Sequence, residues 1–206
     1  ACVLPAVSLS GAAIERIESA AARLVKAMGA VGLVNIQLAI QGDTLYMGTV
    51  DAHLLAIDAK SGQLQWDTVV ADAAAQYSIT MPPLVVNDKV IIGTAGGDMG
   101  VRGFVAAYDA RTGHEVWRFH TIPGPGEAGH DTWSGDSWQK GGAAIWNHGA
   151  YDAGANLVYF GTGNPAPDWD GRTRLGDNLY SDSVIALDAD TGKRVTVLHE
   201  AGWCMN

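Results

Sequence analysis

The side chains of this sequence that could do chemistry do not fall into the common catalytic motifs. It contains no Gly-x-Ser-x-Gly, His-Glu-x-x-His or Walker-type Gly-Lys-Ser/Thr pattern, and its six histidines do not cluster. Two oxygen-bearing side chains stand beside glycines instead, Asp98 in GTAGGDMG and Asn164 in GTGNPAP. Taken alone, Asp98 is interpreted as a turn cap, and Asn164 as a residue at a bend with positive φ.

Tryptophan and glycine are both frequent, with 7 and 26 residues. This combination is typical of many short β-strands joined by tight turns, with large aromatic side chains between them. Taken alone, Trp146 is interpreted as a core residue of this kind. The glycine-rich run GTAGGDMG leads into a strand pattern rather than a helix, which argues against a phosphate-binding loop.

Bulk properties narrow the class of protein. The formal net charge of −9 argues against a nucleic-acid partner, because phosphate binding needs a basic surface. The apolar runs are shorter than the roughly 20 residues of a membrane helix, and no signal peptide is visible. The two cysteines, Cys2 and Cys204, stand near opposite ends and form no disulfide framework. We expect free thiols, with a single disulfide as the alternative.

The first part of the chain has a helical pattern. Residues 9–29 predict a helix that is capped by Ser10 and stops at Gly29. Its apolar residues recur on one face: Ile14, Ile17, Ala21, Leu24, Val25 and Met28. Two strand-like runs follow, joined by Gln41-Gly42-Asp43. Residues 1–43 are therefore expected to form a helix–strand segment.

From about residue 44, short strand-like runs alternate with turns, and one turn pattern occurs three times, as AIDAKSG, AYDARTG and ALDADTG. Its Asp and its Ser or Thr can bond the turn backbone, and its Gly can take a positive φ. The first two copies lead to Trp66 and Trp117, which we expect to pack between sheets. The third copy has Thr196 at that offset.

The spacing of these copies predicts the fold class. The first two aspartates lie about 50 residues apart, which is the length of one propeller blade, and the third follows after one blade and an inserted loop. The sequence therefore predicts a mainly β chain with a partial β-propeller of about three four-stranded blades over 44–194. A divergent tail is expected over 195–206. Three blades are fewer than the four to eight of a closed propeller.

The segment 44–194 resembles the pyrroloquinoline quinone (PQQ) dependent alcohol dehydrogenases, quinoproteins related to methanol dehydrogenase. The resemblance is carried by LYMGTVDAHLLAIDAKSGQLQW, GGDMGVRGFVAAYDARTGHEVWRF, TWSGDSWQKGG, NLVYFGTGNPAPDW and GDNLYSDSVIALDADTG. It implies an eight-bladed type of propeller, PQQ and a calcium or lanthanide ion as cofactors, and a periplasmic location. It also implies the oxidation of primary alcohols to aldehydes.

The same resemblance implies a set of site residues. It places cofactor contacts at Thr80, Ala95, Gly96, Gly97 and Trp146, and metal ligands at Asp98 and Asn164. Asp98 stands where the family usually has glutamate, and Ala95 where it has serine. The family's catalytic aspartate would follow the third corner, where this chain reads VTVLHEAGWCMN. We therefore expect the catalytic aspartate and several PQQ contacts to be lacking.

Two interpretations of function follow from this resemblance. In the first, the chain derives from a PQQ-dependent alcohol dehydrogenase, keeps part of its site and acts on a small alcohol. In the second, it is a truncated or chimeric polypeptide without turnover, whose open sheet edges favour self-association.

Residues 1–43 resemble a different family. ACVLPAVSLS, the predicted helix and GAVGLVNIQLAIQGDTLY are similar to the large subunit of carbamoyl phosphate synthetase, within an ATP-grasp domain. This resemblance implies a metal-binding role for Gln37. It adds a third interpretation, a nucleotide-binding remnant.

Overall fold

The computed structural model describes residues 10–27, 29, 31 and 36–199. Cys2, Cys204, Met28 and residues 200–206 of the predicted tail lie outside these residues. The described elements are one α-helix and twelve strands: α1 (Gly11–Ala27), β1 (Leu38–Gln41), β2 (Thr44–Gly48), β3 (His53–Asp58), β4 (Leu64–Val69), β5 (Leu84–Val86), β6 (Lys89–Gly93), β7 (Phe104–Asp109), β8 (Glu115–His120), β9 (Ala150–Asp152), β10 (Leu157–Gly161), β11 (Ser183–Asp188) and β12 (Arg194–His199). Short 3₁₀ turns span Ala73–Ala75, Gly97–Met99, His130–Thr132, Ser137–Lys140 and Gly171–Thr173.

The strands form three four-stranded antiparallel sheets, each built from consecutive strands. The first sheet has the order β1-β2-β3-β4, the second β5-β6-β7-β8 and the third β12-β11-β10-β9. Consecutive antiparallel strands are joined by tight turns, and this explains why short strand-like runs alternate with turn residues in the sequence. The prediction of a mainly β chain with about three propeller-type blades and an N-terminal helix is confirmed.

The first and third sheets each extend across a boundary drawn from the sequence. β1 lies within the predicted helix–strand segment, yet it pairs with β2 through Leu38–Met47 and Ala39–Tyr46. β12 begins at Arg194 and uses the first residues of the predicted tail. Gln37, which carries the resemblance to ATP-grasp domains, is a half-buried residue immediately before β1. Its nucleotide-binding role stays a prediction.

Helix α1 has the expected cap and amphipathic face. The Ser10 hydroxyl accepts a hydrogen bond from the Ala13 amide at 3.3 Å, and Gly29 takes a φ of 61° just beyond the helix. Ile14, Ile17 and Val25 are half-buried on one side. Arg16 of the helix lies 3.7 Å from the Asp43 carboxylate in the β1–β2 turn. The helix therefore lies against the first sheet.

The three repeated turns, which we call corners, have one hydrogen-bonding pattern. They span residues 58–62, 109–113 and 188–192. In the second corner, the Asp109 carboxylate accepts bonds from the Thr112 amide and hydroxyl, both at 2.8 Å. The glycines that end the corners have φ values of 75°, 73° and 67°. These turns are as the sequence predicts.

Tryptophan side chains join neighbouring sheets, as expected. Trp66 of the first sheet donates its indole N–H to the Ala110 carbonyl of the second at 3.1 Å. Trp117 of the second sheet makes the same bond, also at 3.1 Å, to the Ala189 carbonyl of the third. Thr196 occupies the equivalent register position in β12, opposite Ala186. One hydrophobic core runs through all three sheets.

Candidate functional site

The candidate site lies at the end of the sheets opposite the corners. β6 and β10 end there, and β5 and β9 begin there, because neighbouring strands are antiparallel. Four segments therefore meet at this end: one before β5, one after β6, one before β9 and one after β10. Each carries at least one of the site residues that the sequence predicts.

All seven predicted site residues line one cavity of about 310 Å³. They are Thr80, Ala95, Gly96, Gly97, Asp98, Trp146 and Asn164. The volume lies at the lower end of the range for small-molecule sites, which is roughly 300–1,000 Å³. The structure thus brings together residues that are up to 84 positions apart in the chain. Their roles toward a cofactor or a metal stay predictions.

The segment before β5 runs alongside the segment after β6. The Ala95 amide donates to the Ser78 carbonyl at 2.8 Å, which brings Thr80 close to the glycine-rich turn. Gly96 has a φ of 102°, and a Cβ there would collide with the carbonyl oxygen of Gln76. Only glycine satisfies both the conformation and the contact. The glycine-rich run is therefore a close backbone crossing at the wall of the cavity.

A short segment at residues 142–144, the bridging segment, connects the two halves of the site. On one side, the Gly142 amide donates to Val101 and the Gly103 amide donates to Gly142, both at 2.8 Å. On the other side, the Ala143 amide donates to the Asn164 carbonyl at 2.9 Å, and the Gly163 amide to the Ala144 carbonyl at 2.8 Å. Backbone hydrogen bonds thus fix the Asn164 side of the cavity relative to the Asp98 side.

Asp98 and Asn164 face each other across the cavity. The Asn164 amide nitrogen lies 3.5 Å from the Asp98 carboxylate oxygen. Rotating the Asn164 amide by a half turn would present its oxygen at the same place, since the two amide atoms have nearly the same shape. One carboxylate and one amide oxygen would then point to a common position. This donor set suits a hard cation.

The two side chains supply only part of a coordination shell. Calcium takes about six to eight oxygen ligands. Within the described part of the chain, no three His, Cys, Asp or Glu side chains are grouped so that they could hold a metal ion. Asp98 and Asn164 therefore fit a cation whose remaining ligands come from a cofactor, from water or from further residues.

Trp146 follows the bridging segment and presents its ring to the cavity. Its side chain is 52% exposed, in contrast to the fully buried Ile145 that precedes it. Such an exposed ring on a cavity wall fits a flat ligand by stacking. The interpretation as a platform residue therefore agrees with its position better than the interpretation as a core residue.

The cavity includes residues that the sequence analysis missed. Ala144 and Gly163 complete its lining. Both act through their small size and backbone bonds, so their residue types carry no chemical signal, although each lies within two positions of a predicted site residue.

A buried arginine in the loop that follows Asn164 was also missed. Arg174 is 1% exposed, and its guanidinium donates to the Pro167 carbonyl at 3.1 Å and to the Asn178 side chain at 2.8 Å. These bonds hold the loop that follows Asn164. The arginine stands in a polar, glycine-containing run that reads as an exposed turn, so the sequence gives no signal of its burial.

Among the described residues, no helix is both long and apolar enough for a membrane span.

Comparison with known proteins identifies the family. The family model for the β-propeller domain of glucose, ethanol and alcohol dehydrogenases that use PQQ matches residues 41–198. Quinohemoprotein alcohol dehydrogenase ADH IIB of Pseudomonas putida is 42% identical over 205 residues, covering 93% of this chain and 30% of that protein. This likeness therefore extends into the first 43 residues.

Two further relatives indicate the same family. The lanthanide-dependent methanol dehydrogenase of Methylacidiphilum fumariolicum is 37% identical, covering 81% of this chain and 30% of that protein. The solved structure of quinohemoprotein alcohol dehydrogenase ADHIIG from Pseudomonas putida HK5 is 43% identical with a TM-score of 0.73, covering 80% of this chain and 26% of that one. The chain thus spans about 30% of the length of the curated relatives named here. Because the family model matches well over half of the sequence, the chain belongs to the β-propeller domain family of the PQQ-dependent glucose, ethanol and alcohol dehydrogenases.

Proposed function

We propose that this chain supplies part of the cofactor and metal site of a PQQ-dependent alcohol dehydrogenase, which oxidises primary alcohols to aldehydes. The observation that carries the proposal is the single cavity around all seven predicted site residues. The relatives named above are alcohol or methanol dehydrogenases, and one of them is lanthanide-dependent. A small primary alcohol is the proposed substrate, and the periplasm the proposed location.

Each residue has a proposed task that follows from its chemistry. Asp98 and Asn164 would hold calcium or a lanthanide ion through their oxygens. Trp146 would stack beneath PQQ, while Thr80 and the backbone of Ala95–Gly97 would contact its edge. Bound PQQ would supply an electron-accepting quinone. The protein's part is to orient this group and to place the cation beside it.

A chain without turnover is the alternative. Among the residues that the structure describes, Asp98 is the only acidic side chain and Asn164 the only amide side chain in the cavity lining, and this small number of ligands favours the alternative. Proton abstraction from an alcohol needs a base within hydrogen-bond reach. In this alternative the cavity still binds the cofactor or the cation, but no aldehyde forms. Self-association through open sheet edges belongs to the same alternative.

The first prediction tests binding directly. We expect PQQ with calcium or lanthanum to quench tryptophan fluorescence, and isothermal titration to show binding that depends on the metal. Asp98→Asn and Asn164→Ala should each weaken the metal-dependent affinity by roughly tenfold or more, since each removes a charged or oxygen ligand. Asp131→Asn is the matched control, because Asp131 is exposed and lies outside the cavity lining.

Two outcomes decide between the interpretations. Binding that is equally strong in Asp98→Asn, Asn164→Ala and Asp131→Asn contradicts the assigned site. Binding with no dye-coupled oxidation of ethanol supports the alternative without turnover. Size-exclusion chromatography with light scattering measures self-association in the same samples.

A further inference from the structure

The loop between the second and third sheets, residues 121–141, ends between the two halves of the candidate site. We call it the inserted loop. The carbonyl of its last residue, Gly141, accepts a hydrogen bond from the Ala166 amide at 2.8 Å, and Ala166 follows Asn164 by two positions. The loop then continues into the bridging segment, which bonds to the Asn164 carbonyl through the Ala143 amide at 2.9 Å. The end of the loop is therefore bonded to the segment that carries Asn164.

The same end of the loop packs against the glycine-rich turn that carries Asp98. A Cβ at Gly100, two positions after Asp98, would lie 3.5 Å from the Cβ of Lys140 and 3.6 Å from its carbonyl oxygen. These are ordinary van der Waals contacts, so the loop lies directly on the turn. A shift of the loop end would therefore disturb the segments that carry both proposed metal ligands.

One side chain, Arg102, contacts the inserted loop at three points. Its Nε donates to the Ile122 carbonyl at 2.8 Å, at the beginning of the loop. Its Nη2 lies 3.0 Å from the Glu127 carboxylate, within the first half of the loop. Near the end of the loop, the centre of the Trp138 ring lies 4.9 Å from the guanidinium carbon. Arg102 therefore holds the loop along most of its length.

The backbone of Arg102 is itself tied to the site. The Tyr77 hydroxyl, from the segment before β5, accepts a hydrogen bond from the Arg102 amide at 3.2 Å and donates one to the Arg102 carbonyl at 3.0 Å. On its other side, Arg102 forms a parallel bridge with Gly142 of the bridging segment. The arginine side chain is only 19% exposed. It is thus a buried link between the inserted loop and the backbone around the cavity.

We propose that Arg102 is a positioning residue for the Asp98–Asn164 pair. Arg102 lies outside the cavity lining, so it acts through the inserted loop, whose end contacts the segments of both residues. The inference rests on the proposed function, which assigns a cation to that pair. Lysine cannot take this role, because its single ammonium group lacks the planar fork that bonds a carbonyl, pairs with a carboxylate and stacks on a ring together.

The first test measures cation binding by calorimetric titration of lanthanum with PQQ present. Arg102→Lys keeps the positive charge and loses the fork, and we expect the lanthanum affinity to fall about tenfold, as for other residues that orient metal ligands from outside. Glu127→Gln should weaken binding by a smaller factor, because two of the three contacts remain. Arg111→Lys is the matched control, since Arg111 is exposed in the corner at the opposite end of the second sheet.

Hydrogen exchange gives a readout that needs no cation. The Ala143 and Ala166 amides bond to Asn164 and Gly141, so their exchange reports local opening between the loop and the Asn164 segment. Arg102→Lys should speed the exchange of both amides relative to the Val90 amide of β6, which belongs to the buried core. Arg111→Lys should leave these ratios unchanged.

The two readouts separate this proposal from the proposed function. A wild-type chain that binds no lanthanum contradicts the proposed function, while faster exchange in Arg102→Lys still supports the positioning role. Wild-type lanthanum affinity in Arg102→Lys, or unchanged exchange ratios, overturns the positioning role, even where the melting temperature falls. Because Glu127 is exposed, Glu127→Gln tests the same link without disturbing buried groups. If Arg102→Lys fails to fold, wild-type affinity and exchange in Glu127→Gln overturn the proposal instead.

Discussion

His120, at the end of β8, is a titratable group in an unfavourable place for a positive charge. Its ring packs edge-on against Phe104, with ring centroids 5.9 Å apart. Burial lowers the pKa of His120 to about 4, and the positive charges of Arg102 and Arg118 act in the same direction. An unfolded chain would protonate it near pH 6.5. Between pH 6.5 and 4 the unfolded state therefore binds a proton that the folded state does not.

We predict that the chain loses stability as the pH falls through this window. The contribution of His120 should be about 1–2 kcal/mol between pH 7 and pH 5. His120→Gln should remove that part of the pH dependence in urea titrations. His148→Gln, at an exposed position, is the control. A pH dependence that His120→Gln leaves unchanged contradicts the prediction.

At the scale of single residues, the site residues could be predicted because they stand in short local motifs. GTAGGDMG and GTGNPAP each keep several site residues within a few positions, so finding one motif locates the group. The sequence could not show that these groups and Trp146 surround one cavity, because that follows from the packing of the second sheet against the third. Nor could it show Arg174, whose burial depends on carbonyl acceptors that only the folded loop provides.

At the scale of the elements, Trp117 is one of the two tryptophans that join neighbouring sheets. It is 8% exposed, and its N–H bond to Ala189 crosses between the second and third sheets. Trp117→Phe would keep most of the apolar contact and leave the Ala189 carbonyl without its donor. We predict a loss of about 1–3 kcal/mol in the free energy of unfolding.

Urea denaturation followed by circular dichroism measures this loss. Trp169→Phe is the matched control, since Trp169 is 82% exposed and the same substitution there removes no bond between sheets. A Trp117→Phe variant as stable as the control would show that the inter-sheet hydrogen bond contributes little.

The sequence predicted the elements well where a repeat was present. The repeated corner pattern predicted the positions of the turns after β3, β7 and β11. The spacing of its aspartates predicted three sheets. The strands at the limits of the repeat were harder to assign. β1 is a short run after a helical pattern, and β12 lacks the tryptophan that marks β4 and β8. Their assignment depends on pairing with β2 and β11, which residue types alone do not show.

At the scale of the whole molecule, the three sheets share one hydrophobic core, so we expect the protein to unfold in a single transition. The core includes fully buried residues of every sheet, such as Leu54, Val105 and Ile185. Sheets that share a core lose their contacts together. We predict that far-ultraviolet circular dichroism and tryptophan fluorescence report the same midpoint in urea. Two separated midpoints would mean that a sheet unfolds by itself.

The bridging segment has a consequence for the proposed cation site. Its backbone is bonded on one edge to the strand entry at Val101 and Gly103, and on the other to Gly163 and Asn164. Any swing of the third sheet against the second would have to break these bonds, so the backbone at Asn164 is held in place relative to the second sheet. Magnesium requires shorter metal–oxygen distances than calcium and near-ideal octahedral geometry. If Asp98 and Asn164 hold a cation as proposed, a backbone fixed in this way favours the ion that accepts longer and less regular metal–oxygen contacts.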